Sequence, residues 1–138
     1  MAKATKTLTI AIMDPPYETA STTTALRIVD AALRKGNNVH VFAYEGAVNL
    51  TMAAQKPHAN PLKGTSAEPE EHPTTKDWIA SLFAMSRKNG AKLEWINCGL
   101  CVDERGAGDW IAGPRRGAPK DFYEAAQKSD TTLVIPAK

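Results

Sequence analysis

"TLTIAIMDPPYETASTTTALRIVDAALRKGNNVHVFAY", Thr7 to Tyr44, decides the fold class. Its opening run, Thr7 to Met13, is β-branched and almost continuously apolar, the composition of a strand covered on both faces. Such a strand belongs in the middle of a parallel sheet. Asp14-Pro15-Pro16 then turns the chain. Ser21 or a neighbouring threonine caps a helix whose apolar positions Ala25, Leu26, Ile28, Val29, Ala32 and Leu33 recur at helical spacing. Gly36 ends that helix, and Val39 to Tyr44 reads as a second strand. A strand, a helix and a strand in this order call for a right-handed crossover between parallel strands.

Downstream the same alternation continues. A weak helical turn is expected around Val48 to Ala54, then a long irregular loop from Lys56 to Thr75 with four prolines and one glycine in twenty residues. Loops of that length in compact domains are functional lids or disordered segments. A helix from about Lys76 to Asn89 carries the stripe Trp78, Ile79, Leu82, Phe83 and Met85, and Gly90 closes it. "KLEWIN", Lys92 to Asn97, is a third strand. A Gly/Arg-rich connection, a helix from Pro119 to Lys128 and the strand "TTLVIP" complete the chain. The expectation is one α/β domain over residues 1–138, with at least four parallel strands and helices on both faces of the sheet in flavodoxin-like layering. In such a sheet every strand-to-helix loop emerges at the carboxyl edge, where ligands bind. The Asp14–Ser21 turn, the Pro-rich loop and the loop after Asn97 should share that edge.

Composition narrows the function classes. A chain of 138 residues, 43% hydrophobic, has the size and apolar content of one domain with one core. The net charge of +2, without a Lys/Arg block interleaved with aromatics, argues against nucleic acid as partner. No stretch approaches the length of a membrane span, and the apolar run at the amino end stops at Met13, too short for a signal peptide. A cytoplasmic protein is expected. There, thiols stay reduced.

Both cysteines of the chain lie in "NCGLCVDERGAGDW", Asn97 to Trp110. A C-x-x-C pair on a strand-exit loop in a reducing compartment admits four readings. The thiols are small buried hydrophobes; or two ligands of a zinc site, for which only His40, His58 and His72 remain, without finger-like spacing; or a thioredoxin-like dithiol, although Gly106 and Gly108 interrupt the long helix that motif opens; or one nucleophile that carries a transferable group beside a helper. If a short helix begins around Val102, Cys101 sits at its positive end with Arg105 one turn on, an arrangement that favours thiolate. Asp103 and Glu104 push the other way.

The residues at this point resemble a known family. "TIAIMDPPYETASTTTALRIVDAALRKGNNVHVFAYEGAVNL" and "CGLCVDERGA" are similar to the opening segment and the active-site loop of the DsrE/TusD (DsrEFH-like) sulfur-relay proteins, and the resemblance runs over roughly Thr7 to Ile135. It implies a cytoplasmic sulfur carrier or sulfurtransferase of the DsrEFH-like α/β fold, working without cofactor or metal. It implies sulfur-donor and sulfur-acceptor proteins as partners, and a homotrimer or hexamer. Cys101, followed by Val102 and by Arg105-Gly106, matches the sulfur-accepting position. Cys98 is then a helper or resolving thiol.

Other residues carry weaker signals. Arg105, Arg115 and Arg116 would receive an acidic partner or a thiosulfate-like anion, although exposed arginine pairs usually only solubilise. His58 and His72 on the Pro-rich loop would assist proton transfer or simply be solvated. Thr19 to Thr24 offer hydroxyls and helix amides to a phosphate, the basis of an alternative reading as a nucleotide or flavin binder; their ordinary role is capping. A third reading is a noncatalytic scaffold subunit. The Val48–Ala54 segment and an exposed Trp110 suggest surfaces that self-association would cover.

Overall fold

The computed structural model describes residues 5–56 and 74–137. The first unit is strand β1 (Thr7–Ile12), helix α1 (Ala20–Arg34) and strand β2 (Asn38–Ala43). A 3-10 helix (Glu45–Thr51) follows, then helix α2 (Thr75–Lys88), strand β3 (Leu93–Cys98) and helix α3 (Gly99–Arg105). The chain closes with strand β4 (Arg115–Gly117), helix α4 (Pro119–Lys128) and strand β5 (Thr131–Ile135). The Pro-rich loop, with His58 and His72, lies mostly outside the described residues.

Five parallel strands form one sheet in the order β4-β3-β2-β1-β5, so the apolar β1 and β2 are interior as their composition requires. Ile10 and Ile12, Val39, Val41 and Ala43, and Leu93 and Trp95 point to one face. There they pack on Ala25, Leu26, Val29 and Leu33 of α1 and on Ile79, Leu82 and Phe83 of α2. Burial of each large aliphatic in this layer stabilises the fold by about 1.5–3 kcal/mol. The opposite face holds a smaller cluster, in which Phe42, Ile96 and Cys98 of the sheet meet Val48, Cys101 and Val102, with Phe122 of α4 against it. Phe122 stacks on Phe42 at a centroid distance of 5.6 Å.

Thr19 caps α1, its hydroxyl accepting the Ser21 N–H at 3.2 Å. The turn expected near Val48–Ala54 is instead the 3-10 helix three residues earlier, and its Ala47, Val48 and Leu50 are buried. Trp110 is half-buried against the smaller cluster, its indole N–H donating to Pro114 O at 3.0 Å. Neither is an open surface, so the sequence argument for self-association loses its basis. Among the described residues the exposed large hydrophobics are Leu100, Tyr123 and Val134.

A polar network locks the site's base into the core. Trp95 Nε1 donates to Asn97 Oδ1 at 3.2 Å, and Asn97 Nδ2 donates to Thr51 Oγ1 at 3.0 Å. All three residues are fully buried. The pairing ties the end of the 3-10 helix to β3 one residue before Cys98, and every buried side-chain polar atom among the described residues has a partner.

Candidate functional site

β3 delivers Cys98 to the carboxyl edge, where it is also the residue that precedes α3. The helix starts at Gly99, not near Val102, so Cys101 lies within its first turn. Gly106, with φ of +57°, ends it in the left-handed conformation that glycine adopts without strain. Both thiols are free and largely covered, Cys98 5% and Cys101 7% exposed. Cys101 Sγ accepts the backbone N–H of Glu45 at 3.1 Å. This contact joins α3 to the turn that follows β2.

The electrostatics differ from the sequence expectation. Burial pushes the Cys101 thiol above its ordinary range, the Glu45 N–H opposes that, and the neighbouring Cys98 and the Glu45 carboxylate add to the rise. Arg105 does not face the sulfur. Its Nη2 donates to Glu45 Oε2 at 2.8 Å and its Nη1 to the carbonyl of Cys101 at 3.4 Å. The surroundings thus favour the thiol over the thiolate, while a hydrogen-bond donor is already aimed at the sulfur.

Arg116 is the second cation at the site. In β4 it stands beside Asn97, and its guanidinium crosses over Gly99 to grip Asp103 with bonds of 3.0 and 2.7 Å. A Cβ at Gly99 would lie 2.5 Å from Arg116 Nε, so glycine there is what lets the side chain pass. Asp103 in turn holds Arg116 firmly charged, and its own carboxyl is pulled below the usual range by that bond. Arg115 goes elsewhere. It bonds Glu94 at 2.7 and 3.0 Å and lies 3.5 Å from Asp121, with His40 Nδ1 3.1 Å from Glu94 on the other side. Thus Arg105 and Arg116 bond to groups of the cysteine loop and Arg115 does not. Each of the three is occupied by a carboxylate.

The profile of the DsrE/DsrF-like family matches residues 6–135. The chain belongs to the DsrE/DsrF-like family. The crystal structure of the ychN protein from E. coli is similar in fold, with a TM-score of 0.68 over 95% of this chain and 99% of that one, at 18% identity. At that identity the likeness speaks for the fold alone. Among curated proteins none matches the sequence significantly.

Within this DsrE/DsrF-like chain, sequence reasoning missed Glu45. The signal available was "YEG" directly after a strand, a turn signature; nothing in it marks the glutamate as the residue with φ of +52°. The threonine-rich start of α1 lines a cavity of about 280 Å³ with Tyr17, Leu26, Thr75 and Trp78. Two of its hydroxyls are engaged within the turn: Thr19 donates to Asp14 Oδ2, and Thr22 donates to the Asp14 carbonyl at 3.3 Å. Thr19 and Thr22 act as cap and turn tie, and the phosphate-binding alternative loses those two donors. Among the described residues no three His, Cys, Asp or Glu side chains converge as metal ligands, and no helix is long and apolar enough to cross a membrane.

Proposed function

We propose that the protein is a sulfur carrier or sulfurtransferase in which Cys101 accepts sulfane sulfur as a persulfide and passes it to a partner protein. Membership of the DsrE/DsrF-like family supports a role in sulfur relay in general. The observation that carries the finer reading is the Glu45 N–H at 3.1 Å from Cys101 Sγ. A structural cysteine needs no such donor, whereas a sulfur that takes on negative charge during transfer does.

The chemistry is thiol–disulfide exchange applied to a persulfide. Cys101 thiolate attacks the terminal sulfur of the donor's persulfide. A new S–S bond forms on Cys101, the donor's S–S bond breaks, and its electron pair leaves with the donor thiolate. Passage to the acceptor repeats the step with Cys101 as leaving group, stabilised again by the Glu45 N–H. Arg105 and Arg116 order the loop through Glu45 and Asp103. No cofactor is required. Cys98 is the resolving thiol: its thiolate attacks the inner sulfur of the Cys101 persulfide, expelling hydrosulfide and leaving a Cys98–Cys101 disulfide. The protein works in the cytoplasm, in an assembly of identical copies, a trimer or hexamer.

Intact mass after exposure to polysulfide or a loaded sulfurtransferase tests the reading. The wild type should gain one or more sulfur atoms, Cys101→Ser should gain none, and Cys98→Ser should load and hold sulfur longer. Loading of Cys101→Ser but not Cys98→Ser reverses the assignment. A wild type that never loads ends the proposal.

A further inference from the structure

Glu45 is one of two non-glycine residues with positive φ among the described residues. Glutamate has no local preference for that conformation, which asparagine and glycine favour, so the surroundings impose it. On one side Tyr44 N–H donates to Ile12 O at 3.1 Å; on the other Ala47 N–H donates to Met13 O at 3.0 Å. Gly46 lets Pro15 close against the turn, since a Cβ there would stand 2.8 Å from Pro15 Cδ. The end of β1 thus clamps the turn and sends the Glu45 N–H to Cys101.

The Glu45 carboxylate, half-exposed, is taken by Arg105 at 2.8 Å and adds to the rise of the Cys101 thiol. Cys98 at the end of β3 and Tyr44 just after β2 belong to the same small cluster as Cys101. Arg116 from β4 passes over Gly99, next in the chain to Cys98, and is neutralised by Asp103, while Glu104 lies 3.9 Å from Arg105. Arg105 therefore meets the site through the Glu45 carboxylate and the Cys101 carbonyl, not through the sulfur itself.

We propose that Glu45 is a positioning residue for Cys101: its main chain aims a donor at the sulfur, and Arg105 acts on the sulfur through the Glu45 carboxylate, by neutralising it. The inference rests on Cys101 being the reactive thiol. It explains why a side chain hostile to sulfur ionisation stands next to the nucleophile: paired, it holds α3 against the turn; unpaired, it suppresses the thiolate. A partner that draws Arg105 away would lower the reactivity of the sulfur, and one that takes Glu45 with its own cation would raise it.

The test is the pH–rate profile of Cys101 alkylation by iodoacetamide in the full chain carrying Cys98→Ser. Glu45→Gln should speed alkylation at pH 7.5 by about two- to fivefold, and Arg105→Gln should slow it by a similar factor. In the Glu45→Gln background, Arg105→Gln should slow alkylation less than it does alone, since only the cation's direct effect remains. Glu45→Gly keeps the left-handed backbone and the N–H and should match Glu45→Gln. Glu45→Val resists that backbone and should react more slowly than Glu45→Gly. Equal slowing by Arg105→Gln with and without the Glu45 carboxylate overturns the relay through Glu45; a Glu45→Val as fast as Glu45→Gly overturns the aimed donor. Sulfur loading, measured separately, tells the two proposals apart. Coupling without loading removes the carrier, and loading without coupling removes this inference.

Discussion

Asn97 and Cys101 are neighbours with opposite demands. Asn97 is buried with its amide shared between Trp95 and Thr51, so Asn97→Ala strands a buried indole N–H and a hydroxyl. Urea unfolding should show a loss of about 1–3 kcal/mol. Cys101 imposes a pH dependence instead. Its thiol is raised by burial, so the folded chain holds the proton to higher pH than the unfolded one. The stability this contributes is fully present below the unfolded thiol range, about pH 8.5, and is lost as pH rises through the folded value. Chemical denaturation from pH 7 to 10 should show a decline that Cys101→Ser reduces. The placement of both thiols at the carboxyl edge was legible in the sequence, because an apolar run ending in Asn-Cys must deliver its last residues there. Their ionisation was not. Whether an arginine four residues on faces the sulfur or turns to Glu45 depends on a contact across 60 positions.

Elements with a strong apolar period were readable and those made by their neighbours were not. The β1–α1–β2 unit follows from its pattern, and α2 ends within one residue of where its stripe predicts. β4 has no such pattern: Arg115, Arg116 and Gly117 pair with β3 through three register positions and are anchored by Glu94 and Asp103. Only a tertiary partner makes that segment a strand. α4 depends on its first turn, where Pro119 follows the cap and Asp121 accepts the Ala118 N–H at 2.8 Å. That bond, with Arg115 and Lys120 nearby, holds the Asp121 carboxyl below its usual range. A depressed carboxyl contributes stability above its unfolded value near pH 4, which disappears as pH falls through the folded value. Helicity followed by circular dichroism should therefore fall in acid, and Asp121→Asn should lose that acid-sensitive component.

At the scale of the molecule, the sheet has unequal halves. The face under α1 and α2 is closed by the large core, whereas on the side of α4 the helix's Tyr123 and Val134 of β5 stay exposed to solvent. Light scattering should report an assembly of identical chains; a stable monomer at micromolar concentration would count against the trimer or hexamer. α4 has no fully buried residue, and β5, on the sheet's outer edge, is mostly exposed. A segment tied down so lightly can detach without dismantling the core, because cooperative opening follows the apolar surface each part buries. In an isolated chain, amide protons of Thr131–Ile135 should exchange with deuterated solvent well ahead of those in β1 and β2. The segment from Pro119 to Ile135 would then serve as a separable lap joint, able to lift while β2 and β3, which lead into the Glu45 turn and the cysteine loop, keep their register.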